Sequence, residues 1–185
     1  MNRTTAVQLL EEWVPSPGLR RHCYCVEAVM RSAAVRYGSA SDDPEKWGLA
    51  GLLHDADWEK WPDEHPNRIV QHLRDLGEAD VADAVAAHSL RWGRPHTTAM
   101  SKALVASDEL AGLVVACVLL RPDGILTLDV PGVLKKFRTA KFAAGVDRNE
   151  VTEGVRILGV SLEDHTAFVL DALRAKADDL GLGPK

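Results

Sequence analysis

The stretch Ser41–Asp57, SDDPEKWGLAGLLHDAD, decides how this chain is read. Asp43 is placed to cap a helix, and Pro44 suits its first turn. Leu49, Leu52 and Leu53 then supply an apolar face. That face runs into an ionisable pair, His54 and Asp55, where the helix should be entering a core. The loop from Asp57 to His65 follows, with Trp58 and Trp61 as candidate lid or stacking residues. A carboxylate carried inward on an apolar face is costly unless it is paired or bound to a metal, so partners are expected on neighbouring elements.

Those neighbours also read as helices. One is expected over Thr5–Trp13, ending before VPSPG, and a second from Leu19 to near Gly38. The second carries His22, Val26, Val29, Met30 and Ala33 at helical spacing. HPNRIVQHLRDLG starts a helix at Pro66 and stops it at Gly77. Glu78–Trp92 and Thr98–Leu120 are expected as continuous helices separated by GRP. Three more follow: a short basic one over Gly132–Phe142, one capped by Asp147 with Glu150, and one capped by Ser161 with Asp164. Alternating strand patterns are missing. The expectation is an all-α, single-domain bundle of about eight or nine helices.

Composition narrows the function classes. The chain has 185 residues, 46% hydrophobic and 26% charged, which suits one globular domain over residues 1–185. A net charge of −5 argues against binding polymeric nucleic acid or a membrane surface. The longest strictly apolar run, LVVACVLL at Leu113–Leu120, is well short of a membrane span. The N-terminus has acidic residues where a signal peptide has its apolar core, so a cytoplasmic location is expected. Cys23, Cys25 and Cys117 lack CxxC spacing and read as small packing residues.

The candidate chemistry lies on five consecutive helices. His88 shares the inward stripe of Val81 and Val85. Asp108 shares that of Leu104, Ala111 and Val115. His22 begins the apolar face of its helix, and His65 stands just before Pro66. Any one of these histidines alone reads as a hydrogen-bonded core or surface residue. Four histidines and two aspartates together are more than one structural zinc requires. They suit two metals sharing a bridging aspartate and a bridging water, the metal being Mn, Fe, Co, Ni, Zn or Mg.

The order His22, His54-Asp55, Asp108 resembles the signature of the HD-domain superfamily of metal-dependent phosphohydrolases. GLLHDAD corresponds to its paired motif and ALVASDELAGLV to the helix with the last aspartate. His65 in HPNRIVQHL and His88 in AVAAHSLRWGRP correspond to the extra histidines of its two-metal branch. That branch often reads His-Asp-Ile-Gly, whereas this chain reads His54-Asp55-Ala56-Asp57. The resemblance places the metal-site core at about residues 19–120. The tail, at about 130–185, resembles that of small bacterial relatives without a settled substrate.

The resemblance implies one or two divalent metals held by His22, His54, Asp55, His65, His88 and Asp108, with metal-activated water attacking phosphorus. With a single metal, His22, His54, Asp55 and Asp108 would hold it, and His65 and His88 would contact phosphate or act as general acid. Asp55, His65 and His88 are the candidate catalytic residues. Lys102, Arg94, Lys135, Lys136, Lys141 and Arg148 are candidates for binding a small anionic substrate, a nucleotide or another phosphoester. The six-donor pattern resembles that of bacterial diadenosine tetraphosphatases of the HD type, which makes a dinucleoside polyphosphate one candidate substrate. Two other readings use the same donors: a metal- and nucleotide-binding regulatory module without turnover, and a di-iron oxygenase.

Overall fold

The computed structural model describes residues 1–185 and contains nine α-helices and no strand. In chain order they are α1 (Arg3–Trp13), α2 (Pro17–Tyr37), α3 (Pro44–Leu53), α4 (Asn67–Asp75), α5 (Ala79–Ala86), α6 (Ala99–Leu119), α7 (Val130–Phe137), α8 (Arg148–Leu158) and α9 (Leu162–Arg174). The starts follow local chemistry. Asp43 accepts from Glu45 N at 2.9 Å, Thr98 and Ser101 form a reciprocal capping box, and Ser161 accepts from Asp164 N at 3.0 Å. No helix is long and apolar enough to cross a membrane.

The two 21-residue helices α2 and α6 form the centre. α3 packs along α2, and α8 along α6. Both approaches depend on a glycine. A Cβ on Gly51 would stand 2.7 Å from the Val26 carbonyl oxygen, and one on Gly154 would stand 2.6 Å from that of Val105. Without those side chains, backbone packs on backbone. Between the helices lies one apolar cluster reaching from Ala6 to Leu182, with Leu52, Leu53, Leu104, Leu110 and Leu113 fully buried. Every residue of α3 from Trp47 to Leu53 is buried, so this helix is enclosed on all sides rather than on one stripe. Buried Glu27 accepts from Arg3 at 2.6 Å and from Arg31 at 3.0 Å, and Arg31 also donates to Glu45 at 2.5 Å. This chain of ion pairs pins α1, α2 and α3 together.

Two expected helices are shorter than their sequences suggested. Glu78–Trp92 is not continuous: α5 ends at Ala86, and a 3-10 turn forms at Leu90–Trp92. Between them Ser89 is extended, and Glu150 at the start of α8 accepts from the Ser89 hydroxyl and the Leu90 N–H. A carboxylate 60 residues away thus outcompetes the helical ladder. The basic helix stops at Phe137 rather than Phe142. There the Arg148 guanidinium donates to the carbonyls of Phe137, Phe142, Ala143 and Val146, holding the chain in a turn.

Candidate metal centre

The end of α3 delivers the pair that opened the sequence. His54 is the C-cap of α3, so its ring leaves the helix while its backbone remains in the fully buried layer. Its Nδ1 donates to the Gly51 carbonyl at 2.8 Å, which leaves Nε2 facing inward as the atom that could ligate a metal on losing its proton. His88, released by the early end of α5, repeats the arrangement: Nδ1 donates to the Val85 carbonyl at 2.7 Å. His65 uses a carboxylate instead. Its Nδ1 donates to Asp57 Oδ1 at 2.6 Å, and the other Asp57 oxygen accepts from Ile69 N at 3.0 Å. Asp57 is fully buried and has no other visible purpose than to hold His65 against the first turn of α4. Hydrogen bonds of this kind fix the tautomer and ring orientation of a ligating histidine.

The Nε2 atoms meet two aspartates. Asp108 Oδ1 lies 2.9 Å from His22 Nε2 and 3.2 Å from His54 Nε2, and the two imidazole nitrogens are 3.2 Å apart. Asp55 directs Oδ2 to His54 Nε2 and Oδ1 to the Nε2 atoms of His65 and His88, each at 3.5 Å. All six residues therefore converge, and they sort into two groups able to hold a metal ion: His22, His54 and Asp108, and Asp55, His65 and His88. This division differs from the expected single-metal set, because Asp55 sits with His65 and His88 while one oxygen faces the other group.

Electrostatics are those of a charged cluster in a dry place. Burial works against charge on His54, but Asp108 and Asp55 outweigh it and hold its pKa well above the ordinary histidine value. Burial likewise opposes ionised Asp55 and Asp108. The imidazoles of His54 and His88 hold Asp55 well below the usual carboxylate range, and those of His54 and His22 do so for Asp108. Burial, with the charge of Asp108 beside it, pushes the Glu109 carboxyl up to about 8.

The cluster forms the floor of a cleft of about 460 Å³. Its walls include Trp58, Ser89, Arg91, Trp92, Glu109 and Glu150. None of the expected substrate-binding cations reaches it: Lys102, Arg94, Lys135, Lys136, Lys141 and Arg148 all lie outside the lining. Arg148 is committed to backbone carbonyls, and Lys136 Nζ rests 4.7 Å from the centre of the Phe142 ring. Arg91 takes the place expected for them. Of the two loop tryptophans, Trp58 lines the cleft with its ring edge-on to His65 at 5.0 Å, while Trp61 packs against Trp13 at 4.8 Å. The remaining histidines have other partners. His96 bonds the Ala87 carbonyl at 2.7 Å, His72 lies beside Trp13, and buried His165 lies between Tyr37 and Ser107.

Sequence reasoning missed Asp57, Trp92 and Glu150, and weighed Arg91 only as one of two cations flanking the segment after His88. Asp57 carried a signal, as an acidic residue at the position where the two-metal branch often has glycine. Trp92 and Glu150 act through contacts that periodicity does not reveal.

Comparison with known proteins adds one finding. No curated protein and no solved structure matches the chain. The HD domain family model matches residues 19–121, a span that begins within α2 ahead of His22 and ends just after α6, enclosing all six converging residues. That span is more than half of the chain, and this all-helical protein belongs to the HD domain family.

Proposed function

We propose that this protein is a divalent-metal-dependent phosphohydrolase acting on a nucleotide or another small phosphoester. The observation that carries the reading is the orientation of Asp55, one oxygen toward His54 and the other toward His65 and His88. A carboxylate so placed suits two ions at once, with His22, His54 and Asp108 completing one set and His65 and His88 the other. The donor chemistry fits: four imidazole Nε2 atoms and two carboxylates suit Mn, Fe, Co, Ni or Zn, and Mg with more water. Ions bound there would supply Lewis acidity, lowering the pKa of a water and offsetting phosphoryl charge.

The chain's own residues prepare this chemistry. Gly51, Val85 and Asp57 fix the Nδ1 protons of His54, His88 and His65, so each ring turns its Nε2 to the site without rearrangement. With both sets filled, Nε2 of His65 and of His88 is engaged and neither moves a proton; with one ion, both are free to contact phosphate. Burial of the floor keeps bulk water out and strengthens every interaction with phosphoryl charge.

The test is metal analysis followed by a phosphate-release screen. Nucleotides, dinucleoside polyphosphates and sugar phosphates are offered with Mn, Mg, Co, Ni or anaerobic Fe, beside Asp55→Ala. Turnover that disappears in the variant is the expected result. Silence across the panel from metal-loaded protein would overturn the hydrolase, and oxygen consumption by the iron form would replace it with the oxygenase.

A further inference from the structure

Five carboxyl groups line the cleft, those of Asp55, Asp108, Glu109, Asp147 and Glu150, and a single cationic side chain from lysine or arginine, Arg91. Its guanidinium carbon lies 5.3 Å from the centre of the Trp58 ring and 5.1 Å from that of Trp92. The Arg91 side chain makes no ion pair, although it shares the cleft with five acids. With its cation over two indoles and no carboxylate on it, Arg91 keeps N–H donors available, and a guanidinium fork can bind phosphate in bidentate fashion. The turn beneath it is fixed from outside. Glu150 holds Ser89 and the Leu90 N–H, and Trp92 packs 4.7 Å from the His88 ring. Arg91 is exposed at the mouth of the cleft, and the two indoles that it covers stand beside His65 and His88.

We infer that Arg91 is the phosphate-recognising cation of this cleft, and that the site selects esters carrying one phosphoryl group over polyphosphates. The inference rests on the phosphohydrolase reading of the neighbouring donors, and it narrows the substrate class. One guanidinium beside the metal donors can neutralise one phosphoryl group. A second or third phosphate would have to face Asp147 or Glu150, where no lysine or arginine offsets its charge. Dinucleoside polyphosphates fit this wall poorly, and monoesters or diesters fit it well.

The experiment measures binding of inorganic phosphate to metal-loaded protein by calorimetry in wild type, Arg91→Lys and Arg91→Ala, with metal content recorded for each. Arg91→Ala should weaken binding about 10- to 100-fold at unchanged metal content, with Arg91→Lys between the two because it keeps charge but loses the fork. Inorganic triphosphate, supplied as its magnesium complex so that it does not strip the site, should bind no more tightly than phosphate. Phosphate binding equal to wild type in Arg91→Ala, or triphosphate binding at least tenfold tighter than phosphate, would overturn the inference. Ester turnover is scored separately. Arg91-dependent phosphate binding in a protein that hydrolyses no ester removes the hydrolase and keeps the phosphate site. Turnover with an unchanged KM in Arg91→Ala removes the inference and keeps the hydrolase.

Discussion

The two donor groups are built by different means. His22, His54 and Asp108 stand on or at the end of α2, α3 and α6, the helices that form the apolar centre. Asp55, His65 and His88 stand in segments between helices. The first group is positioned by core packing, down to the missing Cβ of Gly51. The second is positioned by individual hydrogen bonds, from Asp57, from the Val85 carbonyl and, through Ser89 and Leu90, from Glu150. A group held by the core should fail only when the fold is disturbed or a donor is removed. A group held by single bonds should be weakened one bond at a time.

Removing the shared carboxylate is the largest test of this contrast. Asp55→Ala should lower activity beyond about 100-fold and reduce bound metal, while helical content stays near wild type by circular dichroism. If metal stoichiometry were unchanged, the two groups would not share Asp55.

His165 probes the core side of the first group, because it bonds Ser107, the residue before Asp108, at 3.1 Å. Burial, with Arg36 nearby, pulls its pKa down to about 4 from the ordinary 6.5. The unfolded chain then binds more protons than the folded one between these values. The resulting stability is fully present above pH 6.5 and is lost as pH falls to about 4, by roughly 3 kcal/mol across the window. Urea unfolding at pH 7 and pH 5 should show the loss in wild type and a shallower one in His165→Gln. Equal pH slopes in the two proteins would refute it.

The second group should respond to Asp57→Asn. Amide in place of carboxylate weakens the hold on His65, and metal affinity or activity should fall about 10- to 100-fold. Titration with metal should show one site weakened and the other intact. Equal weakening of both sites would break the division drawn here.

The smallest effect concerns the thiols. Burial pushes Cys23 and Cys25 up to about 12 and Cys117 up to about 11. None should react with a thiol reagent until the protein unfolds, which a timed colorimetric assay would show.

Helices with strong local caps were legible in the sequence: Asp43, Asp147 and Ser161 mark starts that the structure keeps. The six converging residues were legible because each interrupts an apolar stripe or stands at a helix end, where an ionisable side chain demands a partner. The break after Ala86 was hidden, because Glu150 decides it across a distance in sequence that no periodic pattern spans. The basic residues misled for a related reason. Charge clustered along the chain says nothing about direction, and Arg148 spends its donors on carbonyls of its own loop. Asp57 shows the reverse: a residue next to a motif, whose meaning depends on a histidine eight positions further on.

The enclosure of α3 from Trp47 to Leu53 sets a clock for the protein. Its amide hydrogens, shielded on every side, should exchange with deuterium only through global opening. The segment from Asp55 to Glu64 has exposed residues and isolated turns, and should exchange through local opening on a much shorter timescale. His54 and Asp55 are neighbours in sequence yet belong to opposite ends of that range. The cleft is lined by Asp55 and not by His54, so solvent meets the pair from the side of Asp55.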